Sequence, residues 1–198
     1  MGRASRADAA KHRAEVVAAT SKLLRERGAA GMTVQELMAA AGLTHGGFYK
    51  HFGSKDELVG VAASTAFEEI MTLLVGLEEG SDDPSAARTT LLRQYLSIEH
   101  RDSAGVGCAN AALAADAARS PADSPLRASY EAGLRDTLAQ FTRYAETADR
   151  TPEEARRRAI LDFSTMVGAL TLARATSQTP LSDEILQVVR QAMTDAAE

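Results

Sequence analysis

Residues 33–58, TVQELMAAAGLTHGGFYKHFGSKDEL, constrain the fold of this chain more than any other stretch. Val34, Leu37 and Met38 follow the spacing of one apolar helical face, which predicts a short amphipathic helix. Gly42 follows directly, where a tight turn needs a residue that tolerates positive φ. The first half of this segment therefore predicts a helix that ends in a glycine turn.

The second half predicts another helix and the capped start of a third. Thr44 stands where an N-cap is expected, and Phe48 and Phe52, four residues apart, place two aromatic anchors on one helical side. Ser54 and Glu57 have the S/T-x-x-E spacing of a capping box. Two short helices joined by a glycine turn form a helix-turn-helix, whose second helix can enter the major groove of DNA.

The remainder of the 198-residue chain is predicted to be helical, because no window alternates like a strand. We expect an all-α fold of nine helices, at about residues 9–27, 34–40, 44–51, 55–77, 85–100, 109–119, 124–147, 151–176 and 180–196. We divide the chain into an N-terminal arm and helix-turn-helix head, residues 1–54, and a helical body, residues 55–198. The long fourth helix joins the two.

Charge is distributed unevenly between these parts. Residues 1–58 hold nine Lys and Arg against six Asp and Glu, whereas the other 140 residues hold 13 against 21. All four lysines lie in the first segment. A basic head on an acidic body is typical of localised DNA contact, although a small basic region is also common on solvated surfaces.

Several classes of protein are excluded by composition. No apolar run approaches the roughly 20 residues of a membrane span, and the basic N-terminus lacks a signal-peptide core, so we expect a cytoplasmic protein without a membrane partner. The single cysteine, Cys108, cannot form an internal disulfide. No metal-ligand cluster, phosphate-binding glycine loop or activated nucleophile stands out, so we expect no enzyme activity, no metal and no cofactor.

Three motifs give the chain a family resemblance. The T-V-x-x-L-x-x-x-A-G-L turn, the F-Y-x-H-F sequence and the S-K-x-E-L helix entry, within about residues 9–60, resemble the TetR/AcrR family of bacterial transcriptional regulators. The resemblance implies a homodimer that binds near-palindromic double-stranded DNA and carries a small-molecule effector site in the body. It also implies that Tyr49 and His51 face the phosphate backbone.

The predicted DNA-facing set comprises Thr33, Thr44, His45, Gly46, Gly47, Tyr49, Lys50, His51 and Lys55. Thr33 and Thr44 are caps on any interpretation, and helix N-termini also favour phosphate. His45 is the candidate for base recognition, and Lys50 for base or phosphate contact. Gly46 and Gly47 each weaken a helix by roughly 1 kcal/mol relative to alanine. A close approach of the backbone to DNA would explain why glycine stands at these positions. The alternative is a poor helix that its neighbours stabilise. Lys55 is unfavourable in a first helical turn unless a phosphate lies beside it.

Candidate residues of the body are less specific. The expected effector pocket comprises Phe67, Met71, Tyr95, Cys108, Asn110, Phe141, Tyr144 and Met166, for which core packing is the alternative. The expected dimer interface comprises Phe163, Val167, Leu170, Ile185, Val189 and Met193, with an intramolecular bundle as the alternative. Cys108 at a helix N-terminus can have a lowered thiol pKa, although a buried structural cysteine is the favoured interpretation.

Together these features favour a repressor that a small molecule releases from its operator. The alternatives are a redox- or electrophile-sensing regulator acting through Cys108, and a transcriptional activator on the same scaffold.

Overall fold

The computed structural model describes residues 6–195, apart from the side chain of His45. These residues form nine α-helices and no strand: α1 (Arg6–Arg27), α2 (Val34–Ala40), α3 (Lys55–Glu79), α4 (Pro84–Tyr95), α5 (Ile98–Asp102), α6 (Ala109–Arg119), α7 (Pro125–Ala145), α8 (Pro152–Ala175) and α9 (Pro180–Asp195). Two 3₁₀ helices lie between them, the first at His45–Lys50 and the second at Ala104–Val106. The all-α prediction is confirmed.

Two of the predicted helices have a different form. Residues 44–51 were expected to be α-helical, but His45–Lys50 is a 3₁₀ helix, because two adjacent glycines provide little helix propensity within so short a segment. The predicted helix at residues 85–100 is broken: α4 ends at Tyr95, and Ser97 caps α5 by accepting a hydrogen bond from the His100 N–H at 3.1 Å.

Helix α3 is the central structural element of the molecule. Among the described residues it alone is long and apolar enough, by length and composition, to cross a membrane, although it contains no uninterrupted apolar run of that length. Its most apolar window is 44% buried inside the protein, where it packs against α1 and α7. A core helix of a folded domain has this composition for the same reason, namely that it buries apolar surface.

The apolar core consists of two clusters. The first joins the head to the body, since it contains Leu37 and Phe48 of the head together with Leu113 of α6 and Leu126 of α7. The second lies within the body, among α3, α4, α7, α8 and α9. The division at residues 54 and 55 stays a prediction, and the first cluster extends across it.

Candidate DNA-binding surface and ligand cavity

The helix-turn-helix has the geometry that its glycine predicts. Gly42 has a φ of 70°, in the left-handed region, and its N–H donates to the Ala39 carbonyl at 2.9 Å. Leu37, Phe48 and Phe52 are almost completely buried behind the turn. The two aromatic anchors therefore hold the His45–Lys50 segment against α2 and fix which of its side chains face outward.

The outward face of that segment is largely exposed, although the Tyr49 ring makes an edge-to-face contact with Phe48. The Tyr49 side chain is 74% exposed, and Lys50 is also exposed. An added Cβ at Gly46 would meet no atom within 4 Å, and its φ is not positive. Neither packing nor backbone conformation requires glycine at position 46, so the space beside it is available to a partner. The side chain of His45 lies outside the described residues.

The two cap threonines differ in what their hydroxyls do. Thr33 Oγ1 donates to Glu36 Oε2 at 2.7 Å and accepts from the Glu36 N–H, which completes a capping box. The backbone N–H of Thr33, followed by its hydroxyl, stabilises the charged carboxylate and lowers the pKa of Glu36. Thr44, in contrast, is exposed and makes no side-chain cap bond. Capping therefore explains why a threonine stands at position 33, whereas the Thr44 hydroxyl remains available for a phosphate.

The start of α3 departs from the predicted capping box. Ser54 Oγ accepts from the Glu57 N–H at 3.0 Å, as expected, but Glu57 Oε2 accepts from the Gly53 N–H at 2.8 Å and does not reach back to Ser54. Lys55 and His51 are half-buried at this corner. Phosphate contacts by these two residues stay predictions.

A large cavity lies in the body. It has a volume of about 600 Å³, in the range of small-molecule sites. Its lining comprises Ile70, Leu73, Leu74, Leu91, Arg93, Gln94, Tyr95, Ser97, Glu99, His100, Ser103, Val106, Gly107, Cys108, Asn110, Thr137, Phe141 and Phe163. α3, α4, α7 and α8 supply apolar walls, and the segment around α5 and the start of α6 supplies the polar end.

The structure brings four of the eight predicted pocket residues to this cavity, namely Tyr95, Cys108, Asn110 and Phe141. The other four do not line it. Phe67 is buried where α3 meets Gly133 of α7, the Tyr144 hydroxyl donates to the Leu74 carbonyl, and Met166 is completely buried. Met71 packs at the edge of the body core.

Thirteen further lining residues belong to neither the expected pocket nor the expected interface: Ile70, Leu73, Leu74, Leu91, Arg93, Gln94, Ser97, Glu99, His100, Ser103, Val106, Gly107 and Thr137. They come from separate segments of the chain and share no motif. Only the packing of the helices brings them together.

His100 organises the polar end of the cavity. Its Nδ1 lies 2.8 Å from the Tyr95 carbonyl, and its Nε2 accepts a hydrogen bond from the Cys108 N–H at 3.1 Å. These partners fix a neutral ring with the proton on Nδ1. Burial, assisted by the nearby charge of Arg174, lowers the pKa of His100, although its bond to Tyr95 opposes this. The ring ties the end of α4 to the start of α6.

Cys108 does not have the lowered thiol pKa that a helix N-terminus suggested. It is the N-cap residue of α6 and is 5% exposed, and burial raises the pKa of its thiol. Hydrogen bonds from Tyr95 and from the first turn of α6 favour the thiolate but are outweighed. The thiol is therefore held in its neutral form at the cavity wall.

The predicted dimer residues divide into two groups. Phe163, Leu170 and Met193 are buried in the body core of a single chain, where their contacts are already made. Val167, Ile185 and Val189 are half-buried at its edge. The apolar side chains that α8 and α9 leave exposed are different ones: Ile160, Leu161, Leu172, Leu181 and Val188. Periodicity alone identified the apolar helices but not which side faces outward.

No group of three or more His, Cys, Asp or Glu side chains in the part of the chain that the structure describes could hold a metal ion.

Known proteins with similar sequences and folds are bacterial regulators. Residues 16–62 match the family described as "Bacterial regulatory proteins, tetR family". An uncharacterized HTH-type transcriptional regulator of Mycobacterium tuberculosis (strain H37Rv) is 29% identical over 170 residues, which cover 82% of this chain and 84% of the relative. The HTH-type transcriptional repressor DhaR of Mycobacterium sp. (strain GP1) is 29% identical over 96 residues, 48% of this chain and 47% of that repressor.

The fold is similar to that of a solved regulator as well. The crystal structure of a TetR family transcriptional regulator from Agrobacterium tumefaciens superposes with a TM-score of 0.78 at 18% identity, covering 95% of this chain and 98% of that one. At this identity the likeness shows the shared fold. The sequence relatives are regulators and not enzymes.

Proposed function

Because the chain belongs to the TetR family and is a DNA-binding transcriptional regulator, we propose that it is a cytoplasmic, homodimeric repressor that a small molecule releases from a near-palindromic operator. The observation that carries the proposal is the course of α3. Its first turns contribute Leu58 and Val59 to the core shared with the head, and its middle contributes Ile70 and Leu74 to the cavity wall. One rigid element thus joins the DNA-facing surface to the ligand space.

A second connection runs through α1. The Ala29 N–H, just beyond α1, donates to Asp116 Oδ2 of α6 at 2.9 Å. Gly105, in the 3₁₀ helix beside the cavity, lies so close to α1 that an added Cβ would be 2.4 Å from Glu26 Oε1. A ligand that shifts the start of α6 therefore acts on both helices that orient the head, which supports release by a change in half-site spacing.

The homodimer is proposed from the exposed apolar face of α8 and α9. Leu161 and Leu172 are 57% and 58% exposed, and they lie on one side of α8 with Gly168 between them. An added Cβ at Gly168 would meet nothing within 4 Å, so this side is open to a second copy. Leu181 and Val188 continue the face on α9. Two-fold symmetry brings the same face of each copy together.

DNA binding is tested with fragments of the region upstream of the gene, followed by footprinting. We expect protection of a near-palindrome by the wild type and release by a cavity ligand. Lys50→Ala should weaken binding and reduce the salt slope of log K by about 1 per half-site if Lys50 contacts a phosphate. Arg135→Ala removes an exposed cation from α7, away from the head. It should change neither the affinity for DNA nor the salt slope. Binding without sequence preference would contradict the proposal.

A second candidate is a regulator that responds to thiol-modifying compounds through Cys108. The place of this residue in the cavity wall favours it, whereas the raised pKa of the buried thiol opposes it. The direction of control is a separate matter, because the same scaffold activates when its operator lies suitably relative to a promoter. A reporter gene fused to the footprinted region distinguishes repression from activation when the regulator is deleted.

A further inference from the structure

The polar end of the cavity contains a buried, uncharged side chain whose hydrogen-bonding atoms are not satisfied within the part of the chain that the structure describes. Asn110 is completely buried, and neither its Oδ1 nor its Nδ2 has a hydrogen-bond partner among the described residues. The Tyr95 hydroxyl, on a side chain 8% exposed, has the thiol of Cys108, a weak acceptor, as its partner. Both residues line the cavity. Since buried polar groups are almost always paired, Oδ1 and Nδ2 of Asn110 point to a ligand that supplies the missing bonds.

The remaining wall suits an uncharged ligand. Ile70, Leu91 and Phe141 are among the apolar side chains that form most of the surface. The formally charged lining residues are Arg93 and Glu99, and both are exposed. A charge carried to the buried end would therefore have no counter-ion along the wall, and burial of an unpaired charge is strongly unfavourable.

The guanidinium of Arg174 lies behind this end of the wall, next to Gly107. Arg174 does not line the cavity, and its Nε and Nη2 donate to the carbonyls of Arg101 and His100 at 3.2 and 3.1 Å. It holds α8 against the turn that carries His100. These two donors make structural contacts, and because Arg174 does not line the cavity it offers a carboxylate there no direct partner.

Building on the proposed effector site, we infer that the effector is an uncharged, mainly apolar molecule that carries one carboxamide or lactam group. Such a group has a carbonyl acceptor beside an N–H donor in one plane. It therefore pairs with Nδ2 and Oδ1 of Asn110 at once, whereas an ester only accepts and an ammonium group only donates. The Tyr95 hydroxyl supplies a further donor for the carbonyl.

A ligand series that shares one apolar tail tests this inference. Binding of nonanamide, nonanoate, methyl nonanoate and nonanol to the full chain is measured by calorimetry at neutral pH. We expect the carboxamide to bind at least roughly tenfold more tightly than each of the others. Equal affinities, or a preference for the carboxylate or the alcohol, would overturn the inference.

Two variants test whether Asn110 and Tyr95 cause the preference for the amide. Asn110→Leu should remove the tenfold preference for the amide and leave the affinity for the ester unchanged, because it replaces only the pairing group. Tyr95→Phe removes a single hydroxyl and should reduce the preference in part. Thr142→Val is the matched control, because Thr142 lies on α7 outside the cavity lining and its hydroxyl donates to the Leu138 carbonyl at 2.7 Å; its preference should equal that of the wild type. An unchanged preference in both Asn110→Leu and Tyr95→Phe contradicts the inference.

Release of operator DNA separates this inference from the function on which it rests. If nonanamide binds with the expected preference but never releases DNA, the ligand class stands and the effector role fails. If all four compounds release DNA equally well, the effector role stands and the ligand class fails.

Discussion

Arg25 of α1 donates to Glu69 Oε2 of α3 at 2.6 Å, with the guanidinium side chain 3% exposed and the carboxylate side chain 47% exposed. Arg25 Nε and Nη1 are buried, and residues 6–195 offer them no hydrogen-bond partner. Glu69 is therefore the acceptor that compensates a nearly buried charge between the two helices that orient the head.

Removal of Glu69 should weaken the junction between α1 and α3. We expect Glu69→Ala to lower the free energy of unfolding by roughly 1–3 kcal/mol, less than for a fully buried pair because water reaches the carboxylate. Urea unfolding measures the change. Glu68→Ala, at the neighbouring exposed position, is the control and should have little effect. Equal stability of both variants would show that the Arg25 charge does not need this partner.

Gly46 provides a test of close approach to DNA. Gly46→Ala should retain or slightly raise stability, because Ala restricts the unfolded chain and the added methyl group meets open space. Operator affinity should fall by roughly tenfold or more, since that space is taken by DNA in the proposed complex. Gly76→Ala also adds a methyl group into open space, but on α3, and should bind DNA normally. Full operator affinity of Gly46→Ala would favour the poor-helix explanation.

The exposed face of α8 and α9 predicts the oligomeric state. Leu172→Glu should weaken dimerisation by roughly 100-fold or more, because a symmetric interface then buries two unpaired carboxylates. Sedimentation over a range of concentrations measures this change. Ile98→Glu, at a 47% exposed position on α5, controls for adding a charge to an apolar surface residue. Dissociation of the Ile98 variant alone would place the interface elsewhere.

The His100 bridge predicts a dependence of stability on pH. Burial lowers the pKa of His100 below its ordinary value of 6.5, so the unfolded chain binds more protons than the folded chain as the pH falls. The stability contributed by the neutral ring is therefore present above about pH 6.5 and is lost as the pH falls through the lower folded pKa. The Tm of His100→Gln should fall less steeply than that of the wild type between about pH 7 and pH 5.

His51→Gln removes one histidine from the head but leaves the bridge intact. The Tm of His51→Gln should depend on pH in the same way as that of the wild type. A wild-type slope equal to that of His100→Gln would show that the bridge does not titrate with unfolding.

The burial of Cys108 predicts low reactivity. Since this is the single cysteine of the chain, total thiol alkylation reports on it alone. Because burial raises the pKa of the thiol, we expect alkylation at neutral pH to be at least roughly 100-fold slower in the folded protein than in denaturant. Bound cavity ligand should slow it further. Rapid alkylation of the folded protein, with loss of operator binding, would favour the thiol-responsive candidate.

The sequence by itself determined the head and the helical class. Thr33, Gly42 and the pair Phe48 and Phe52 act through hydrogen bonds, backbone sterics and spacing within a few residues, so their roles follow from local order. The same local rules located the starts of α7 and α8, where Ser124 and Thr151 are the N-caps.

The tertiary structure decided what local order leaves open. The cavity is space that helices distant in sequence do not fill, so no spacing rule identifies its lining. Asn110 became distinctive only because the folded chain buries it without a partner. Likewise, Leu170 and Leu172 look alike in the sequence, but packing buries the first and leaves the second 58% exposed. Burial depends on which helices meet, and that is determined by contacts across the whole chain.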